Sequence, residues 1–177
     1  MEETMRMQLE LSGVSILVVD DNAHMRAILR SILAGFGARR IFEAADGADG
    51  LEIVIDRAPD LVLLDWMMAP VSGEEFLKLL RGEKDYILAT TPVIAVSGHA
   101  RRSVILDAMR QGVHGFVAKP VAPAVLYQRI EDALLRQERD GRSKGMRRQG
   151  WREAGPAGPA AAVLAASVHP PENLALL

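Results

Sequence analysis

At 177 residues, with 49% hydrophobic and 25% charged residues, the chain has enough apolar material for one domain with a real core and a short remainder. A formal net charge of -2 gives no electrostatic reason to expect nucleic acid or an acidic membrane surface as the main partner, and the lack of cysteine excludes a disulfide framework, a thiolate metal site and a cysteine nucleophile. No apolar run approaches the ~18 residues that span a bilayer, and the opening MEETMRMQLE lacks the apolar core of a secretory signal, so the expectation is a soluble, cytoplasmic protein with no membrane contact.

Residues 1–12 read as an N-terminal extension. The first element is VSILVVD, 14–20, a short continuous apolar run of the kind that forms a strand buried on both faces. It delivers two adjacent carboxylates, Asp20 and Asp21. Two unit charges about 4 Å apart repel by roughly 1 kcal/mol in water and about 4 at an effective dielectric near 20. A fold holds such a pair cheaply only where the two face solvent separately or share a cation.

Met25, Ile28, Leu29, Ile32, Leu33 and Phe36 then recur at helical spacing and predict a helix closed by Gly37. A weaker strand, RRIFEA, follows at 39–44, and Leu51, Val54, Ile55 and Ala58 predict a second helix before Pro59. DLVLLD, 60–65, is a buried strand ending on Asp65, and Phe76, Leu77 and Leu80 mark a short third helix. PVIAVS, 92–97, ends on Ser97, and Val104, Ile105, Ala108 and Met109 give a fourth helix, stopped by Gly112. GFVA, 115–118, leads into Lys119 and Pro120, and Leu126, Ile130, Ala133 and Leu134 predict a fifth helix ending near 138–140, where Gly141 acts as a stop.

Five alternations of strand and helix with short loops predict βα units, right-handed crossovers and a doubly wound α/β parallel sheet over 13–139. From 140 to 177 the chain turns basic and then rich in Ala, Gly and Pro. That low-complexity tail is expected to be disordered. Its basic run from Arg142 to Arg152 would supply only non-specific attraction to nucleic acid.

In such a sheet, sites form beyond the carboxyl ends of the strands. Here those ends carry Asp20 and Asp21, Asp65, Ser97 and Lys119, and only the second strand contributes nothing. A lone aspartate there would read as a solvated strand end. Three carboxylates, a hydroxyl and an ammonium converging on one rim point instead to a shared cation. With only hard oxygen donors and no cysteine or histidine cluster, Mg2+ suits the set better than zinc. Magnesium is usually completed by phosphate oxygens, so a phosphorylated species is expected in the pocket.

The pieces VVDDN (18–22), LVLLDWMM (61–68) followed by Gly73, PVIAVSG (92–98) and GFVAKP (115–120) stand in order on these strand ends. Together they resemble the receiver domain of two-component response regulators, of the chemotaxis-regulator kind, across about 14–138. The resemblance implies a flavodoxin-like, five-stranded sheet of order 2-1-3-4-5 flanked by five helices. It implies Asp65 as phosphoacceptor and Asp20, Asp21 and Asp65 with the Met67 backbone carbonyl as Mg2+ ligands. Ser97 and Lys119 would contact the phosphoryl group, Ser97 and Phe116 would form the switch, and the Lys119–Pro120 bond would be cis.

A sensor histidine kinase or a histidine phosphotransfer protein is the implied donor. With no apolar pattern for an output domain after 138, a stand-alone receiver is expected, signalling to a downstream protein through the fourth helix, fifth strand and fifth helix. Such a domain is a phosphoacceptor, not an enzyme, though it assists its own phosphorylation and dephosphorylation. Two alternatives stand beside it. An aspartate-nucleophile phosphohydrolase would carry D-x-D-x-T on its first strand, where this chain has DDNAH, and a scaffold receiver that is never phosphorylated has no need of the complete set of five polar residues.

The pattern departs from the family at three places. The proline common four residues after the acceptor is replaced by Ala69, with Pro70 next, while Gly73 keeps its spacing; Met67 is apolar where a polar side chain is frequent; and His99 follows Ser97 by two. His24 reads as a solvated surface group, not a phosphorelay histidine.

Overall fold

Five apolar runs become the five strands of one parallel sheet in the computed structural model, which describes residues 11–139. They are β1 (Ser15–Val19), β2 (Arg40–Ala44), β3 (Leu61–Asp65), β4 (Val93–Ser97) and β5 (Gly115–Ala118), in the order β2-β1-β3-β4-β5. The strands alternate with α1 (Ala23–Gly35), α2 (Gly47–Arg57), α3 (Gly73–Arg81), α4 (Tyr86–Ala89), α5 (Arg102–Arg110) and α6 (Pro123–Arg139). Sheet and strand order are as expected, and α4 is one helix more than the periodicity predicts. Its four residues are too few for a periodic stripe. It forms because the Asp85 carboxylate accepts the backbone N–H groups of Ile87 and Leu88.

Side chains alternate across the strands, and the core divides accordingly. Ile16, Val18, Leu61, Leu63, Ile94 and Val96 face α1 and α6, where they meet Leu29, Leu33, Leu126 and Ile130. Leu17, Val19, Val62, Leu64, Val93 and Ala95 face the other layer and meet Leu51, Val54, Phe76, Leu77, Leu80 and Ala108. Because β1, β3 and β4 are sealed on both faces, they read as continuous apolar runs. Leu11, in a 3-10 turn before β1, is fully buried in the α1 and α6 layer.

Local chemistry sets the helix starts. Asn22 caps α1 by accepting from the N–H groups of His24 and Met25, Asp46 caps α2, and Ser72 with Glu75 forms a reciprocal capping box on α3. Pro123 opens α6, where its missing N–H costs nothing. Two expected core positions lie outside the core: Ile28 on α1 and Met109 on α5 are exposed. Helical period shows which residues share a face; how far a neighbour covers that face is set by the packing around it. Arg81, at the end of α3, donates to the carbonyls of Ala89, Thr91 and Gly112, tying the end of α4 and the connections into β4 and β5 together at the end of the sheet opposite the acidic rim.

The register aligns the strand ends. Val19 lies beside Leu64, Asp65 beside Val96, and Ser97 beside Ala118. Asp20 and Asp65 therefore leave the sheet level with one another, while Ser97 stands one step farther along and Lys119 two.

Candidate functional site

Asp20 is 1% exposed at the end of β1, and its backbone N–H donates to the Ala44 carbonyl of β2. An unpaired carboxylate at that depth would cost several kcal/mol. Here one oxygen accepts the Asn22 N–H at 2.8 Å and the other accepts Lys119 Nζ at 3.0 Å. Asp65 is 6% exposed and less fully compensated. Its Oδ1 accepts the Met67 N–H at 3.2 Å and lies 3.5 Å from Lys119 Nζ. Burial pushes the Asp65 carboxyl above its ordinary value of 3.8; the Met67 N–H and the Lys119 ammonium oppose that shift, and the neighbouring Asp20 charge adds to it.

Asp21 is exposed beside them. Each of the three aspartates offers an oxygen within 4.8 Å of the others'. This donor set consists of hard oxygens alone, and three carboxylates facing one ammonium leave the rim negative. Both properties fit a magnesium ion.

Ser97 is fully buried, and its Oγ accepts the His99 N–H at 3.1 Å. The Lys119 N–H donates to the Ser97 carbonyl, so the last steps of β4 and β5 remain tied where the two polar side chains emerge. Phe116 is half-buried and packs against the core on the α2 and α3 side. Met67 is 57% exposed at the mouth of the site, whereas Trp66 and Met68 are buried in the core.

Gly73 is required by contact. A Cβ there would lie 2.7 Å from the Asp65 carbonyl oxygen and from the Trp66 Cα. At Gly98 the place of a Cβ is open space. The Lys119–Pro120 bond is cis as expected, and Ala69–Pro70, where the sequence departs from the family pattern, is cis as well. His99 and His24 are both exposed.

Asp20, Asp21, Asp65 and Lys119 are thus one cluster. Three neighbours of that cluster were not legible in the strand-end pattern. Asn22 serves twice, capping α1 through its side chain and holding Asp20 through its backbone. Arg26 Nη1 donates to the Asp20 carbonyl at 2.7 Å, and Glu43 of β2 pairs with Arg26 and Arg30. The only sequence signal was a cation in the first turns of the helix that follows two acids.

Residues 16–131 match the family model of the response regulator receiver domain. The chemotaxis protein CheY of Pseudomonas aeruginosa is 34% identical over 123 residues, covering 70% of this chain and 98% of that protein. A protein-glutamate methylesterase/protein-glutamine glutaminase of Myxococcus xanthus is 39% identical over 154 residues. That match covers 85% of this chain, which spans 42% of the length of the Myxococcus protein. Among solved structures, a response regulator receiver domain protein from Clostridium thermocellum aligns with a TM-score of 0.64 at 26% identity, over 71% of this chain and 97% of that one.

Proposed function

The chain belongs to the response regulator receiver family of two-component signalling, and from that premise we propose that it accepts a phosphoryl group on Asp65 from a phosphohistidine donor. Receiver domains of this kind are signalling domains rather than enzymes. The observation that carries the proposal is the Asp65 carboxylate itself, buried at a strand end with Lys119 Nζ at 3.5 Å and two further carboxylates beside it.

In the proposed step the Asp65 carboxylate attacks phosphorus in line with the leaving imidazole of the donor. The P–N bond breaks, its electron pair leaves with the imidazole, and an acyl phosphate forms. Lys119 places its charge against the phosphoryl oxygens, a stabilisation arranged before the reaction begins. The Ser97 hydroxyl accepts the His99 N–H and keeps its own hydrogen to donate to a phosphoryl oxygen. Magnesium would be held by Asp20, Asp21, Asp65 and the Met67 carbonyl and would supply compensating charge for those oxygens.

The switch follows from packing. A Ser97 drawn toward the phosphoryl group vacates space that half-buried Phe116 can fill, which changes the outer surface of β5. The face formed by α5, β5 and α6 suits a downstream protein partner. Leu106 and Met109 on α5 and Val125 on α6 are exposed there, and Ala108 alone of α5 is buried. The donor would be a sensor histidine kinase or a histidine phosphotransfer protein, which places the exchange in the cytoplasm. Among the described residues no helix is long and apolar enough to cross a membrane.

A small phosphodonor such as acetyl phosphate, with magnesium, tests the acceptor. Intact-protein mass spectrometry is expected to show one phosphate adduct on the wild-type chain and none on Asp65→Asn. An adduct that persists in the variant refutes the assignment.

A further inference from the structure

We propose that Arg26 is a positioning residue for the acidic pocket, acting through the backbone of Asp20; this rests on the magnesium role proposed for that pocket. Pairing of β1 with its neighbours runs to Val19, so the Asp20 carbonyl lies just past the ladder, where the chain turns toward α1. Arg26 Nη1 holds that carbonyl at 2.7 Å. The peptide plane from Asp20 to Asp21 sets the direction of both carboxylates. A donor fixed to its oxygen therefore limits how far either can turn away from the rim.

The guanidinium is itself anchored. Arg26 Nε lies 3.6 Å from Glu43 of β2, and its side chain is 18% exposed. Arg30, one turn farther along α1, pairs with the same carboxylate at 2.9 Å, yet its side chain is 59% exposed. Arg26 thus ties α1, the end of β1 and the edge strand β2 together at Asp20. By this route β2, which brings no group of its own to the rim, helps to shape it. Glu43 also offsets the positive charge that Arg26 brings near a cation site. Groups that hold a metal ligand in place commonly change metal affinity about 10–100-fold when removed.

Charge and positioning predict opposite signs, which makes the proposal decidable. By charge alone, removing a guanidinium near the pocket would tighten magnesium binding. If Arg26 positions Asp20, its removal weakens binding. The full-length chain is titrated with magnesium by calorimetry, and its urea midpoint in chelator is measured separately, so that lost stability is not mistaken for lost affinity. Arg26→Gln is expected to raise the magnesium dissociation constant about tenfold, while Arg30→Gln, which removes the same charge without touching Asp20, stays within about twofold. An Arg26→Gln chain that binds magnesium as tightly as wild type, or more tightly, overturns the proposal.

Should that variant not fold, Arg26→Lys carries the same test. A lysine keeps the charge but cannot reach the carbonyl and Glu43 with a planar fork. Weaker magnesium binding in Arg26→Lys supports the role, and wild-type binding overturns it. A wild-type chain that takes up no magnesium refutes the metal pocket and the Arg26 role with it, an outcome distinct from a pocket that binds equally well with and without the guanidinium.

Discussion

Asp20 and Asp65 are both buried carboxylates, and they differ in how their charge is met. Each oxygen of Asp20 has a donor, one from the Asn22 backbone and one from Lys119. Asp65 has the longer contact with that ammonium, and its carboxyl is pushed upward by burial, against the pull of the Met67 N–H and Lys119. A carboxyl whose value is higher in the folded chain than in the unfolded one binds its proton more tightly when folded. The associated stability is fully present below the unfolded value, near 3.8, and is lost as pH rises through the raised one. In chelator at neutral pH, Asp65→Asn is therefore expected to raise the urea midpoint, and the gap should close as pH falls toward about 4. Denaturation of both chains across that range checks it; a gap that widens toward acid contradicts it. Two adjacent acids and a third at another strand end suggest a shared repulsion, but the position of Lys119, which spacing could not show, concentrates the uncompensated burial at Asp65.

Among the elements, α2 ends on a defect. Its C-cap, Ala58, adopts φ 42 and ψ 62, the left-handed region, with a side chain and a proline following. A non-glycine residue there costs roughly 1–2 kcal/mol, and glycine gives back part of the gain through its freer unfolded chain. Ala58→Gly is expected to stabilise the fold by about 0.5–1 kcal/mol, read as a higher urea midpoint at unchanged slope. A loss of stability would mean that the left-handed turn is not strained. The strands and the five longer helices were legible because sealed strands must be apolar throughout and half-sealed helices must repeat every three to four residues. The α4 turn was not, since one cap and four residues leave no period. The part played by Glu43 was hidden for a different reason: it reaches the site through an arginine of another element, and such a contact has no signature in spacing.

Over the whole molecule, register does what no single element can. Parallel strands ending within two steps of one another bring residues 20, 65, 97 and 119 to one rim, and that convergence could be anticipated because each follows an apolar run. The stop expected at Gly141 and the tail expected to be disordered from 140 lie outside the described residues; α6 runs to Arg139, the last of them. Among the described residues the rim draws on groups between Asp20 and Lys119, and the two core layers draw on residues from Leu11 to Leu134. A chain ended after residue 139 is therefore expected to fold cooperatively and to take phosphate from a small donor at the rate of the full chain. A truncated chain that folds but is not phosphorylated would assign the later residues a part in the pocket.

The central claim is that Asp65 receives the phosphoryl group of a histidine donor. Its most direct test is phosphotransfer from purified, autophosphorylated histidine kinases of the source organism, with labelled phosphate and magnesium. At least one kinase is expected to lose its label while the wild-type chain gains an alkali-labile one, and Asp65→Asn is expected to gain none. Equal labelling of the two chains, or no transfer from any kinase to a folded wild-type chain, would contradict it.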